Sequence, residues 1–260
     1  MKITEITSCY LGPQISPEQF VPEHIFIFII KGKMNGYDGT KHTKIEPGEC
    51  CIVRKNRLAR YNKQKDQNEF EKVVIILDEE FLRKYQKKYG VSTAAYFVSD
   101  IFIPLDSSVL IKDFICNQLP LYESQESTVQ HTDQIREEFL QTLLVMQPAL
   151  ANLFFDFGKP GRIDLEAYMQ QHYKFNVSLE RLAYLTGRSL SAFKRDFKDI
   201  FKQTPNRWLI QRRLQEAHFL IEKEKKASSE IYLDLGFEDL SHFSFAFKRH
   251  FGYTATTLGQ

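Results

Sequence analysis

The sequence predicts an α+β fold in two parts, an antiparallel β part with a helical tail followed by an all-α part. Short β-branched and aromatic runs separated by turns fill residues 1 to about 77, and a helical pattern takes over from residue 163. In addition, the segment 178–201 is echoed about fifty residues later by the segment 228–251. With 260 residues, the chain is long enough for two domains that each bury a core.

The first part contains a series of strand patterns. The stretch 24–30 is a continuous β-branched and aromatic run, which is typical of a strand buried on both faces. Further strand patterns lie between turns, at 37–45, 50–53 and 69–77. This spacing indicates an antiparallel sandwich or small barrel. Its aromatic residues either line a ligand pocket or fill the interior, and we expect filling by Phe26, Phe28, Tyr61 and Phe70.

Helical periodicity follows the strands. Three amphipathic helices are predicted, at 78–89, 106–122 and 132–155, with a strand pair or an extended stretch through Leu105 after the first of them. The last helix carries an apolar stripe at Ile135, Phe139, Leu143 and Met146. The stripe faces either its own domain or an identical subunit, so a homodimer is an open expectation.

A linker follows the helical tail. Gly158, Pro160 and Gly161 end the helical pattern, because proline lacks a backbone donor and glycine is conformationally free. We therefore predict a first domain at 1–155, a linker at 156–162 and a second domain at 163–260.

Composition excludes several classes of protein. The chain is 43% hydrophobic and 26% charged, as in globular proteins, and has neither a run long enough to span a membrane nor a signal-peptide pattern. We expect a cytoplasmic protein with no membrane contact. The four cysteines lack paired spacing, so they are expected to be reduced and buried, without a metal site, cofactor or disulfide: Cys9, Cys50, Cys51 and Cys116.

Positive charge is concentrated in the second domain. The whole chain carries a net charge of only +2, but from residue 162 onward sixteen Lys and Arg face twelve Asp and Glu. This modest excess of positive charge lies in the second domain, where it could contact the phosphate groups of a nucleic acid.

A helix is predicted at 163–173, and the first copy of the repeat comes after it. Ser178 caps the next helix, Gly187 permits a tight turn, and Ser189 caps the helix that follows. A phenylalanine every fourth residue fixes one buried face of this last helix, at Phe193, Phe197 and Phe201. Thr204 and Pro205 then begin a helix of roughly eighteen residues, about 27 Å long.

The second copy repeats this logic. Gly236 makes the turn, Asp239 caps the helix, and the buried phenylalanines recur at Phe243, Phe247 and Phe251. A duplicated helix, turn and helix is the sequence form of two helix-turn-helix units, which implies binding to double-stranded DNA.

The outward positions of the second helix in each unit are the candidate DNA contacts. Those expected to reach base edges are Ser191, Lys194, Arg195, Leu240, Ser241, Ser244 and Phe245. Those expected to contact phosphate are Arg188, Ser189, Lys198, Lys248 and Arg249.

Residues 163–258 resemble the DNA-binding domain of the AraC/XylS family of bacterial transcription regulators. The matching motifs are 178–183, Phe193 to Phe197, Thr204-Pro205 with Trp208-Leu209 and Arg213-Leu214, and 235–237 through Phe251-Gly252. The resemblance implies seven helices, two helix-turn-helix units joined by the helix from Pro205, and sequence-specific binding near promoters. It also implies a cupin-like β-barrel for sensing or dimerisation in the N-terminal part, where the similarity is looser.

The departures from the family pattern lie in the second unit. Family members usually carry Arg where Phe245 stands, Ala at Tyr232, an aliphatic residue at Ser228 and Pro at Ala255. Loss of the Arg removes a bidentate guanine contact worth about 1 to 3 kcal/mol of discrimination. We therefore expect the first unit to supply most of the base specificity and the second mainly to position the protein.

Three function classes are compared. The main expectation is a transcription regulator controlled through its N-terminal domain by a small-molecule effector or a protein partner. A second keeps DNA binding but makes a regulatory protein the controller. The alternative is an enzyme whose N-terminal barrel processes a small molecule. Since no nucleophile and base are suitably spaced, and His24 and His42 lack metal-site spacing, we expect no catalytic residues and no enzyme. The operator, the effector and the direction of regulation are not predicted.

Overall fold

A computed structural model describes residues 19–93, 100–106, 109–118 and 129–259. The chain divides into two compact units, Met1–Gly158 and Lys159–Gln260. Cys9 lies outside the described residues, as do parts of the extended stretch after the first predicted helix and of the helix predicted at 106–122.

The first unit contains nine described strands that pair antiparallel in three sheets. They are β1 (Phe20–Val21), β2 (His24–Lys31), β3 (Lys33–Tyr37), β4 (His42–Ile45), β5 (Cys50–Val53), β6 (Arg57–Leu58), β7 (Arg60–Gln64), β8 (Glu71–Leu77) and β9 (Phe102–Leu105). A four-stranded sheet has the order β8-β2-β5-β9, a three-stranded sheet has the order β4-β3-β7, and β1 pairs with β6.

Strand β2 is buried on both faces, as its continuous apolar run predicts. Phe26 and Phe28 belong to a cluster with the helices of this unit. Ile27 and Ile29 point the opposite way, because side chains alternate along a strand, and pack with Met34 of the three-stranded sheet. The four-stranded sheet therefore has a second sheet on one face and helices on the other.

The α+β class is confirmed, but the described strands form open sheets packed against each other and do not close into the expected barrel. Packing between the sheets is tight, since a Cβ added to Gly36 would lie 2.4 Å from the ring of Phe102. Phe26, Phe28 and Phe70 are buried and Tyr61 packs partly buried beside the second cluster, as expected for side chains that fill the interior.

The described part of the first unit contains four helical segments, one between β8 and β9 and three after β9. They are α1 (Glu79–Tyr89), α2 (Val109–Asp113, continued by a π-helical turn at Phe114–Gln118), α3 (Val129–Met146) and α4 (Leu150–Phe154). The single helix predicted at 132–155 is wrong, because α3 ends at Met146 and a separate short helix begins at Leu150. Pro148 causes the break, since proline cannot donate a backbone hydrogen bond and disfavours helical backbone at Gln147.

The apolar stripe of α3 packs inside its own unit. Ile135, Phe139 and Leu143 are buried in the cluster that contains Phe26, and the Phe26 and Phe139 ring centroids are 4.6 Å apart. These side chains are therefore unavailable to an identical subunit, which removes the stripe as a basis for self-association.

A buried ion pair joins α1 to α3. Asp78 caps α1 by accepting a hydrogen bond from the Phe81 amide at 3.1 Å through Oδ1. Its Oδ2 accepts from Arg136 Nη1 at 2.8 Å, and both side chains are almost fully buried. One carboxylate thus satisfies a helix terminus and a buried guanidinium together.

Not all the cysteines are buried as expected. Cys50 and Cys51 are buried in β5, but Cys116 is exposed. Burial raises the pKa of the Cys51 thiol, so this group stays protonated.

The second unit contains seven described helices, as the resemblance implied. They are α5 (Leu165–His172), α6 (Leu179–Leu185), α7 (Leu190–Phe201), α8 (Pro205–Glu224), α9 (Ser228–Ile231), α10 (Leu240–Phe251) and α11 (Ala255–Gly259). Helix α5 begins two residues later than predicted, because Asp164 caps it by accepting from the Ala167 amide. Across both units, none of the described helices combines the length and apolarity that spanning a membrane requires.

Candidate nucleic-acid interface

The first helix-turn-helix unit consists of α6, a tight turn and α7. The hydroxyl of Ser178 accepts from the Arg181 amide, and that of Ser189 accepts from the Ala192 amide at 3.3 Å, so both predicted caps form. Between them, Gly187 has φ +65°. A Cβ there would lie 2.4 Å from backbone atoms of Gly161, so the turn needs glycine for its conformation and for space.

The core of this unit fixes which face of α7 points outward. Phe193 and Phe197 are fully buried, and the ring of Phe197 packs against Phe201 and Trp208. Phe201 itself is only half-buried, so the predicted stripe is less enclosed at its end. The predicted contacts on the opposite face are all exposed: Ser191, Lys194, Arg195 and Lys198, with Ser189 at the cap.

Arg188 differs from the other predicted phosphate contacts. Its side chain is only 8% exposed, and its guanidinium donates to the carboxylate of Asp196 and to the backbone oxygens of Ile163 and Thr186. The geometry gives Arg188 a role in holding the turn, and its contact with a phosphate group stays a prediction.

Asp196, on α7, forms ion pairs with three arginines. Its carboxylate accepts from Arg162 at 2.8 Å, from Arg188 at 3.1 Å and from Arg195 at 3.1 Å. The hydrogen bond from Arg188 holds the pKa of this carboxyl below its ordinary value, and Arg195 and Arg162 act in the same direction. Asp196 therefore stays ionised and restrains the otherwise exposed side chain of Arg195.

The second helix-turn-helix unit has the same framework as the first. Gly236 makes its turn with φ +83°, and Asp239 caps α10 by accepting from the His242 amide at 2.6 Å. Phe243 and Phe247 are fully buried among Ile231, Leu235 and other apolar residues, whereas Phe251 is half-buried. Two of the four family departures fit into this core, since Tyr232 packs beside it and Ala255 is buried at the start of α11.

The outward face of α10 differs from that of α7. All of its predicted contacts are exposed: Leu240, Ser241, Ser244, Phe245, Lys248 and Arg249. Ser244 and Phe245 stand where Lys194 and Arg195 stand on α7, and Ala246 takes the place of Asp196. The second helix-turn-helix unit therefore lacks the pair of Arg195 and Asp196 that the first one has.

Arg213 connects the two helix-turn-helix modules, both of which lie in the second compact unit. This residue lies on α8, the helix of 20 residues and about 30 Å between the two modules. Its guanidinium donates to the backbone oxygens of Tyr173 at 2.7 Å, Phe175 at 2.8 Å and Gly236 at 2.8 Å. Burial lowers the pKa of this group to about 10, so it remains charged at neutral pH.

Sequence reasoning did not assign roles to Asp196 or Arg213. A signal for Asp196 existed, because it is an acidic residue among the basic ones of a helix that was predicted to contact DNA. Arg213 gave no local signal, since its acceptors lie 40, 38 and 23 residues away.

The described residues contain no group of three or more His, Cys, Asp or Glu side chains arranged to hold a metal ion. Exposed cations on a helix held by caps and an apolar core are an arrangement suited to contacting phosphate groups.

Comparison with known proteins identifies both halves of the chain. Residues 24–153 match the ExsA N-terminal regulatory domain, and residues 182–260 match a helix-turn-helix domain. The transcriptional regulator ExsA of Pseudomonas aeruginosa is 22% identical over 98% of this chain and 93% of its own length. The transcriptional activator RhaS of Enterobacter sp. is 27% identical over 53% of this chain, which spans 50% of that relative.

Among solved structures, apo ToxT from Vibrio cholerae covers 97% of this chain and 96% of its own, with 12% identity and a TM-score of 0.45. The two domain matches together account for a regulatory domain followed by a DNA-binding domain with helix-turn-helix units. This chain belongs to the AraC/XylS family of DNA-binding transcription regulators.

Proposed function

We propose that the chain activates transcription by binding one DNA site with two unequal modules. The observation that carries this proposal is the contrast between α7 and α10. Their buried phenylalanines match, but the exposed Lys194 and Arg195 of α7 are replaced by Ser244 and Phe245 on α10. Cationic side chains with several donors discriminate guanine, whereas the outward side chains of α10 offer no such contact.

In this proposal, Ser191, Lys194 and Arg195 read base edges, with Arg195 restrained by Asp196. Ser189, Lys198, Lys248 and Arg249 contact phosphate groups, because they are exposed and lie at the caps or further along the two helices. Helix α8 sets the spacing, since its length of about 30 Å is close to one turn of DNA.

Fluorescence anisotropy of the full chain tests the division of work. The probes are a duplex that the wild-type chain selects from a random pool and a scrambled duplex of equal composition. Lys194→Ala and Arg195→Ala are each expected to reduce the ratio of the two affinities by about tenfold. Lys248→Ala should weaken both duplexes alike and reduce the slope of log affinity against log salt by about one.

Lys87→Ala, at an exposed position of α1, controls for the loss of one charge and should change neither quantity. Equal loss of selectivity from Lys194→Ala and Lys248→Ala would contradict the division. RhaS is named an activator, and we extend this direction to the chain. The selected duplex placed upstream of a weak promoter should raise reporter expression.

We further propose that the first unit controls DNA binding through a protein partner in preference to a small molecule. The contact between Gly36 and the Phe102 ring and the buried Phe26 and Phe28 support a filled interior. Native mass spectrometry of the purified chain checks this proposal. The mass of the bare polypeptide is expected, and a small molecule that co-purifies in stoichiometric amount would contradict it.

A further inference from the structure

An open groove of about 790 Å³ runs beside α10 in the second unit. Helix α10 contributes Leu240, Ser244, Phe245 and Lys248 to one wall, and Lys225 and Lys226 stand at the end of α8 among the other lining residues. The groove therefore lies on the face of α10 that the proposed function directs toward DNA.

Two large apolar side chains of this wall are open to solvent. Phe245 is 67% exposed and Leu240 is 38% exposed. A single exposed apolar residue is ordinary, but two in one groove form a patch that gains free energy when another apolar surface covers it. Ser244 beside them is short enough to leave that patch accessible.

Three lysines also line the groove, among uncharged residues. Lys225, Lys226 and Lys248 carry positive charge along it, and Lys226 pairs with Glu224 at 2.8 Å. Within the described part of the second unit, no carboxylate forms an ion pair with Lys225 or Lys248. The fitting occupant therefore carries an apolar patch flanked by negative charge.

The major groove of DNA meets this description at thymine. The 5-methyl group of thymine is the apolar feature that distinguishes base edges there, and phosphates line both sides of the groove. A phenyl ring and an isobutyl group cannot donate hydrogen bonds to guanine or adenine, but they can cover a methyl group. We propose that Phe245 and Leu240 are specificity-determining residues that read thymine methyl groups in the half-site bound by the second module. This proposal rests on the proposed function, because it requires α10 to face the major groove.

Replacing thymine by deoxyuridine tests the proposal, because it removes the methyl group and leaves the hydrogen-bonding edge unchanged. The probe is the duplex selected by the full-length chain, with deoxyuridine introduced into one half at a time. Binding should weaken by about fourfold for each methyl group that the two side chains cover. Phe245→Ala and Leu240→Ala should weaken binding to the thymine duplex. In these variants the ratio of the affinities for the thymine and deoxyuridine duplexes, which is the penalty for deoxyuridine, should be close to one.

Phe219→Ala is the matched control, since Phe219 is 52% exposed on α8 but does not line the groove. It should keep the wild-type penalty. The inference is overturned if the wild-type chain binds both duplexes equally, if the selected site has no thymine in either half, or if Phe245→Ala retains the full penalty. In each of these cases selective binding over a scrambled duplex still supports the proposed function. Absence of any such selectivity would instead contradict the proposed function itself.

Discussion

Arg213 Nη1 donates a hydrogen bond of 2.8 Å to the backbone oxygen of Gly236, the glycine in the turn of the second module. The same guanidinium binds Tyr173 and Phe175, which precede the first module. A Cβ on Gly236 would lie 2.9 Å from Arg213 Cζ, so the bare glycine permits this close approach. Arg213 thus links both modules to the connecting helix.

Arg213→Lys should destabilise the second unit by about 3 kcal/mol, because one ammonium group cannot reach three carbonyls in a fixed fork and buried acceptors are left unsatisfied. Urea unfolding of the full chain, followed by Trp208 fluorescence, measures the change. Arg212→Lys at the neighbouring position is the control and should cost less than about 1 kcal/mol, since Arg212 forms a long ion pair with Glu216. Equal costs for the two variants would refute the bridging role of Arg213.

Asp196→Asn should change how DNA is recognised more than how tightly it is bound. Removing the charge raises affinity for a scrambled duplex by about threefold, because a carboxylate near phosphate is repulsive. It also releases Arg195, so the preference for the selected duplex should fall. Asp199→Asn removes the same charge from an exposed position of α7 and should raise both affinities while preserving their ratio. An unchanged ratio in Asp196→Asn would show that Arg195 needs no restraint.

In the second compact unit, local sequence patterns predicted the caps, the turn and the buried phenylalanines, but they did not predict the side-chain hydrogen bonds between distant segments. The phenylalanines at 193 and 197, the caps Ser178 and Ser189 and the turn glycine depend on neighbours within a few residues, so the sequence specifies them directly. The partners of Arg213 come together only after distant segments pack. The bond from Arg188 to the backbone oxygen of Ile163 was not predicted for the same reason, because Ile163 is 25 residues away.

The first unit was less predictable from its pattern. The apolar run of β2 predicted burial on both faces, but the pattern contains no information about whether sheets close, which depends on pairing between distant strands. The error at α3 had a different cause, since Pro148 was a local signal that the apolar periodicity outweighed.

Gly187→Ala and Gly252→Ala separate conformational strain from steric conflict. Both glycines have positive φ, but a Cβ at Gly252 meets nothing within 4 Å, whereas a Cβ at Gly187 would lie 2.4 Å from the Gly161 backbone. Gly252→Ala should cost about 1 kcal/mol. Gly187→Ala should cost at least about 2 kcal/mol more, because the turn must move. Thermal unfolding of both variants checks the order, and similar losses would mean that the segment at Gly161 yields without cost.

His24 should make the first unit sensitive to acid. The residue is buried at the start of β2, and its Nδ1 accepts a hydrogen bond from the Lys55 amide at 3.4 Å. Burial lowers the pKa of His24 from 6.5 to about 3, and the charges of Lys55 and Arg54 act in the same direction. The unfolded chain therefore takes up a proton at a higher pH than the folded chain does. The stabilisation is complete above about pH 6.5 and is lost as the pH falls toward about 3.

The free energy of unfolding should decrease by at most about 1.4 kcal/mol per pH unit in this window from His24 alone, or roughly 1.7 kcal/mol between pH 6.5 and pH 5. His24→Gln removes the titrating ring. It should therefore reduce the loss of unfolding free energy between pH 6.5 and pH 5 by that amount. His42→Gln is the matched control, because His42 is exposed at the start of β4 in the same unit, and it should keep the wild-type dependence. Urea unfolding at both pH values measures the difference. If His24→Gln loses as much stability on acidification as the wild type, the acid sensitivity of this unit has its origin in other groups.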